Sequence, residues 1–129
     1  VLSTEGNIEI LGIEILYMPC EQKLIKAVGK LCNDNNITIN DIDLLVTGRN
    51  NNDENNRVYE RFEEIFNLKD KSASYKELFG ESFTSSAYAT YFAFECLKKG
   101  VTPSGKKVKN ILLYNHYENK DHSLILLTC

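Results

Sequence analysis

One stretch, residues 72–100, limits what this chain can fold into more than any other. Its centre, Ala87–Leu97, has a helical pattern that is apolar on every side apart from Thr90 and Glu95. A helix with no polar face has to be buried, and a chain of 129 residues rarely encloses one helix completely. We therefore expect this helix to lie between two layers of a larger body or to form an interface.

The sequence around that helix alternates between strand and helix patterns. Strands are predicted at Asn7–Met18, Ile42–Thr47, Ser72–Tyr75, Asn110–Tyr114 and Ser123–Leu127. The first becomes continuously apolar, which is typical of a strand covered on both faces. The second is predicted to be a central parallel strand, and the last two to form a hairpin around a polar turn, His116–His122.

Helices are predicted between the first four strands. Apolar residues at helical spacing mark a first helix at Cys20–Asn33, in which Ile25 widens the apolar stripe, and a second helix that ends near Asn67. The third helix is predicted at Phe83–Leu97. It is closed by Lys98, Lys99 and Gly100. This order predicts an α/β fold with a mixed five-stranded sheet, in which the first strands are parallel and the last pair antiparallel.

Composition excludes several classes of function. A net charge of −3 gives no electrostatic footprint for nucleic acid, which calls for a basic face, and no apolar run approaches the roughly 20 residues that cross a bilayer. We therefore expect a cytoplasmic location. The four cysteines show no paired spacing, so we expect reduced thiols and no metal, and no cofactor is expected either. One domain is expected over residues 1–129, and the start at Val1 hints at a segment of something longer.

Several single residues allow a functional and a structural interpretation. Cys20 follows Pro19 at a helix start, where a nucleophile is conceivable, but a half-buried structural cysteine is favoured. His116 and His122 flank the predicted turn and are expected to be surface residues rather than a metal pair. The loop Asn50–Asn56 follows a strand, where ligands bind in α/β sheets, yet it has no phosphate-binding glycines and is expected to be solvated.

The chain contains, in order, Ile39–Leu44, Ser74–Glu81, Ser85–Ala87, Tyr114–Tyr117 and Ser123–Leu127, and these five segments resemble the β-ketoacyl-ACP synthases. Ser74–Glu81 is similar to the family's Ser-x-Lys motif, which is followed by three residues, glycine and a catalytic histidine, and Ser85–Ala87 fall at its Ala-Ala-Gly. Ile39–Leu44 looks like the segment that leads into the His-Gly-Thr-Gly-Thr loop. Tyr114–Tyr117 and Ser123–Leu127 resemble its Asn-x-Phe turn and final strand. The resemblance implies the C-terminal half of a thiolase-like fold, with helices on both faces of the sheet.

The chain departs from that family at the catalytic positions. The first histidine falls on Gly48, or on Thr47 if the loop shifts by one residue, and the second falls on Glu81; only Lys76 is retained, and Asn115 matches a substrate-binding position. Glycine and glutamate do not replace an imidazole as a neutral hydrogen-bond donor. Lys76 is as readily a solvated lysine, and Glu81 is expected to serve the first turn of the following helix.

The resemblance therefore leaves more than one function open. It implies a synthase-like protein of fatty acid or polyketide-type biosynthesis that is inactive on its own, with acyl carrier protein or an acyl thioester as partner. Such a chain is either part of a divergent acyltransferase whose N-terminal half carries the nucleophile, or a noncatalytic subunit like those that set chain length. Pairing with a missing half or a second copy is expected. An unrelated small α/β binding domain is the third possibility.

Overall fold

A computed structural model describes residues 8–48, 53–74, 93–102, 105–117 and 120–128 of the chain. In sequence order its elements are β1 (Glu9–Tyr17), α1 (Glu21–Asp34), β2 (Leu44–Thr47), α2 (Asp53–Phe66), β3 (Ser72–Ser74), β4 (Asn110–Tyr117) and β5 (Asp121–Thr128). A helical segment at residues 93–99 precedes β4. None of the helices in these ranges is long and apolar enough to cross a membrane.

The five strands form one mixed sheet in the order β1-β5-β4-β2-β3. Strand β2 is an interior strand that pairs in parallel with both of its neighbours, β3 and β4, whereas β5 is antiparallel to β4 and to β1. Strands β1 to β4 therefore all run in one direction and only β5 runs against them. The predicted mixed sheet with a closing antiparallel hairpin is confirmed.

Helices pack on both faces of this sheet, as predicted, because side chains of each strand point alternately to two apolar cores. Leu45, Leu112 and Leu124 belong to a first core with residues of α1 and α2. Leu44, Val46 and Leu113 belong to a second core, on the opposite face, with Ala93, Cys96 and Leu97 of the helical segment. Because both faces are covered, β2 is buried at every residue.

The predicted helices agree with the structure in position but not at every boundary. Ile25 does not widen the buried stripe of α1, since it is 42% exposed. The polar loop expected up to Asn56 is shorter than predicted because α2 already begins at Asp53. Acidic side chains at Asp53 and Glu54 favour a helix start, since they lie at the positive end of the helix dipole.

The expectation that the first strand is covered on both faces is wrong for this chain. Strand β1 lies at an edge of the sheet, and α1 covers only one of its faces. On the other face Ile13, Ile15 and Tyr17 are 54%, 77% and 71% exposed. Their partner Ile125 packs against the second core, so this exposed strip, Ile13, Ile15 and Tyr17, lies on the same side as the helical segment 93–99.

Only the last part of the predicted all-apolar helix lies within the described residues. Ala93, Cys96 and Leu97 are buried there, whereas Lys98 and Lys99 at the end of the helix are exposed. Gly100 closes the helix with a φ of +73°, and its N–H donates to the carbonyls of Cys96 and Leu97 at 2.8 and 3.2 Å. This left-handed glycine is the predicted terminator.

Candidate functional site

Gly48 lies where the connections of two neighbouring strands diverge. It directly follows β2, beside Asn115 near the end of the parallel strand β4. From the carboxyl end of β2 the chain continues through α2 to β3 on one side of this strand pair, and from the carboxyl end of β4 it turns into β5 on the other side. In open α/β sheets ligands bind in the crevice outside the carboxyl ends of strands at such a point. The predicted Gly48 and Asn115 positions are thus brought together at the expected place.

The space beside Gly48 is filled. A β-carbon added there would lie 2.5 Å from Asn115 Oδ1 and 2.7 Å from the hydroxyl oxygen of Tyr59. Such distances are shorter than van der Waals contact allows, so any side chain at this position has to displace both groups. A histidine at position 48 would therefore fit only if Asn115 and Tyr59 moved.

Tyr59 is the residue of this site that the sequence analysis missed. It lies on α2, is 1% exposed, and its hydroxyl accepts a hydrogen bond from the backbone N–H of His116 at 3.2 Å. Its ring packs edge-on against Tyr114, with centroids 5.5 Å apart. The spacing of Tyr59 to Phe62 and Phe66 on one helix face could have indicated that it is buried. No sequence pattern indicates which strand end its hydroxyl reaches.

Next to Gly48, aromatic side chains of α2 pack against the part of the β4–β5 hairpin that lies nearest its turn. Tyr114 Oη and His122 Nδ1 are 2.7 Å apart in a buried hydrogen bond. His116 and His122 are directly opposite each other across the hairpin and stack with ring centroids 5.6 Å apart. We call Tyr59, Tyr114, His116 and His122 the tyrosine–histidine cluster.

This cluster corrects the prediction that His116–His122 is a polar surface turn. Both histidines lie in strands, and His122 is only 3% exposed. The hairpin extends further than the apolar pattern indicates because ring stacking and the Tyr59 hydrogen bond stabilise its polar end. Among the described residues no group of three possible metal ligands is found, so the histidine pair is not part of a recognisable metal site.

Burial has a measurable consequence at Tyr114. Desolvation, with a smaller effect of Tyr59, raises the pKa of the Tyr114 phenol well above its usual value of 10. Above that pH the unfolded chain releases the proton and the folded chain keeps it, so the free energy of unfolding falls as the pH rises. We expect a loss of up to about 1.4 kcal/mol per pH unit from this group.

Urea unfolding between about pH 8 and pH 11 tests this expectation. The Tyr114→Phe variant has no phenol at this position and should lose stability less steeply with pH than the natural chain. The variant also lacks the hydrogen bond to His122. We expect that loss to lower the free energy of unfolding by the same amount at each pH, so it does not contribute to the difference in slope. Equal slopes for the two proteins would contradict the expectation.

Two oxygen atoms near the end of β2 and β4 are buried without a hydrogen-bond partner among the described residues, Thr47 Oγ1 and Asn115 Oδ1. Thr47 is opposite Tyr114 and points to the first core, whereas Asn115 points to the other face, next to Gly48. A buried acceptor without a donor costs free energy. The Thr47 hydroxyl can donate or accept and Asn115 Oδ1 can accept, so both atoms are able to bind an incoming polar group.

The other predicted site residues are not brought to this crevice. Cys20 is exposed at the start of α1, which follows β1, two strands away from β4 in the sheet. It is not the half-buried cysteine expected, because it is the extended residue that precedes α1 and its side chain is exposed. Lys76, Glu81 and Asn50–Asn52 lie outside the described residues.

Comparison with solved structures shows where this architecture is found. The crystal structure of 3-oxoacyl-[acyl-carrier-protein] synthase III from Aquifex aeolicus VF5 is similar over 98% of this chain and 46% of its own, with a TM-score of 0.60 and 15% identity. The β-ketoacyl-[acyl carrier protein] synthase III from Thermus thermophilus aligns over 85% of this chain and 34% of its own, with a TM-score of 0.49 and 18% identity. No family model and no curated protein matches the sequence.

These comparisons concern architecture. The chain spans less than half the length of the two solved proteins, and its sheet and helices align with the Aquifex aeolicus structure over nearly all of its residues. The TM-score of 0.60 establishes a common fold. Because the identity is only 15%, activity has to be argued from the site. The chain therefore has a thiolase-like fold of about half the size of a 3-oxoacyl-[acyl-carrier-protein] synthase III.

Proposed function

We propose that this chain is a noncatalytic half of a β-ketoacyl-ACP synthase-like assembly in fatty acid or polyketide-type biosynthesis. The observation that carries the proposal is the filled space at Gly48. Synthases of this kind polarise a thioester carbonyl with neutral donors, and preorganised donors supply much of the stabilisation of the charge that develops. Here the nearest groups are the side-chain amide of Asn115 and the hydroxyl of Tyr59, which accepts the His116 N–H, and together they fill the space that a donor side chain at position 48 would need.

In this proposal the chain completes the fold of a partner protein, and the catalytic residues belong to that partner. In this role the chain is a single cytoplasmic domain, and acyl carrier protein or an acyl thioester is bound by the assembly rather than by this chain alone. The exposed strip on β1 supports pairing, because three large apolar side chains on the side of the helical segment face solvent. Contiguous exposed apolar surface commonly marks an interface. The alignment covers 46% of the solved Aquifex aeolicus protein, and in our proposal a second half of similar size covers this side of the chain.

Catalysis is tested directly with the purified chain, alone and mixed with a candidate N-terminal-half protein encoded beside it. Release of radiolabelled carbon dioxide from malonyl-acyl carrier protein reports the decarboxylation step. We expect no release by the chain alone, and in the mixture release no faster than by the N-terminal-half protein alone. Condensation by the chain alone, or activity that depends on Lys76, would overturn the noncatalytic role and favour a divergent acyltransferase.

Pairing through β1 is tested with Ile15→Asp. Because Ile15 is 77% exposed, we expect its replacement to change the free energy of unfolding by less than about 0.5 kcal/mol. A carboxylate at the centre of an apolar interface should nevertheless abolish association, since a buried unpaired charge is strongly unfavourable. Analytical ultracentrifugation of the chain, alone and with the N-terminal-half protein, measures the association.

The matched control is Ile25→Asp, which places the same charge at an exposed isoleucine of α1, on the opposite side of the sheet. It should leave association unchanged. A chain that remains monomeric under all these conditions, with or without the substitutions, would favour an independent small α/β binding domain.

A further inference from the structure

The lysines of this chain are unevenly distributed. Residues 98–109 contain five lysines and no acidic residue, so this stretch contributes +5. Since the formal net charge of the whole chain is −3, the remaining residues sum to −8. We call Lys98, Lys99, Lys106, Lys107 and Lys109 the lysine patch. All five are exposed, and among the described residues only Lys98 has an ion pair, with Glu95 at 3.9 Å.

The backbone that carries these lysines is held in place on both sides of residues 103 and 104. Val101 and Lys107 form a short antiparallel bridge, and the N–H of Val108 donates to the carbonyl of Gly100 at 3.1 Å. The N–H of Lys109 donates to Asp43 Oδ2 at 2.8 Å, which ties the patch to the start of β2. The lysine ammonium groups therefore extend from a fixed base, and little backbone order has to be gained on binding.

An open cleft of about 660 Å³ borders the patch, between it and the turn that precedes β2. Lys107, Lys109, Asp41 and Asp43 all line this cleft, and Asp43 Oδ2 accepts hydrogen bonds from the backbone N–H groups of Lys109 and Asn110 at 2.8 and 3.0 Å. Val101 adds an apolar side chain that is 37% exposed. The cleft is at the amino ends of β2 and β4, the opposite end of the sheet from Gly48 and Asn115, so it is separate from the candidate site.

We propose that the lysine patch and its cleft bind an acidic segment of a partner protein. Opposite charges steer such a partner to the patch and fix its orientation. A protein segment suits the cleft better than nucleic acid or an anionic bilayer does. A segment with spaced carboxylates can place them at the lysines and away from Asp41 and Asp43, whereas a uniform polyanion would be repelled by those two carboxylates.

Fluorescence anisotropy with a labelled glutamate-rich peptide tests this proposal, and the same peptide with glutamine in place of glutamate is the ligand control. We expect binding of the glutamate peptide only, weakened by added salt because the lysines are exposed. The triple variant Lys106→Glu, Lys107→Glu, Lys109→Glu should bind at least about ten-fold more weakly. Its fold should be intact, since only exposed side-chain ends change and the backbone hydrogen bond to Asp43 remains.

The matched protein control, Lys23→Glu, Lys26→Glu, Lys69→Glu, makes the same change in net charge at exposed lysines elsewhere. It should bind the glutamate peptide less than about two-fold more weakly. An equal loss in both triple variants would show a nonspecific charge effect and overturn the proposal. Absence of peptide binding, or tighter binding of heparin or of phosphatidylserine-containing vesicles by the same patch, would also overturn it.

Discussion

Replacing Phe62 with alanine is expected to lower the free energy of unfolding by about 3–5 kcal/mol. The ring is 1% exposed and stacks on Tyr114 with centroids 4.0 Å apart and an interplanar angle of 16°. It also contacts Phe66, at a centroid distance of 4.7 Å. Removing it opens a cavity between α2 and the central strands, whose paired backbones restrict collapse into the space.

Urea unfolding of the natural chain and the variant measures this loss. Ile25→Ala is the control, because Ile25 lies on the neighbouring helix but is 42% exposed; we expect a loss below about 1 kcal/mol there. A loss at Phe62 no larger than that at Ile25 would show that the first core is not packed as the structure describes.

The second large effect is expected at Gly48. Its replacement by alanine should destabilise the chain by about 1–3 kcal/mol, because the added β-carbon overlaps Asn115 Oδ1 and the Tyr59 hydroxyl. Gly29 is the matched control, since it lies on the exposed side of α1 with no atom within 4 Å of an added β-carbon. Gly29→Ala should stabilise the helix by about 0.5–1 kcal/mol. The same substitution is thus expected to act in opposite directions at the two glycines.

A double variant separates the cause of that destabilisation. Tyr59→Phe removes one of the two overlapping atoms, so Gly48→Ala should cost less in that background than in the natural chain. Additive effects of the two substitutions would show that Tyr59 does not close the space. Closure by both groups also leaves no room for the larger side chain of a Gly48→His variant.

The sequence alone determined the order and type of the elements. Periodic apolar residues placed α1 and α2, the buried run before Gly48 marked β2, and Gly100 marked the end of the helical segment. These features are local, because strand and helix periods and left-handed glycines are set by neighbours along the chain. The family resemblance added the sheet architecture and placed Gly48 and Asn115 in one site.

Tertiary structure decided what surrounds those residues. The hydroxyl of Tyr59 reaches the end of β2 from α2, and His116 and His122 stack because strand pairing puts them opposite each other. Strand β1 has an apolar pattern suited to cover on both faces, yet its place at the sheet edge leaves Ile15 exposed. Contacts between residues far apart in the chain depend on register and edge position, and a local pattern specifies neither.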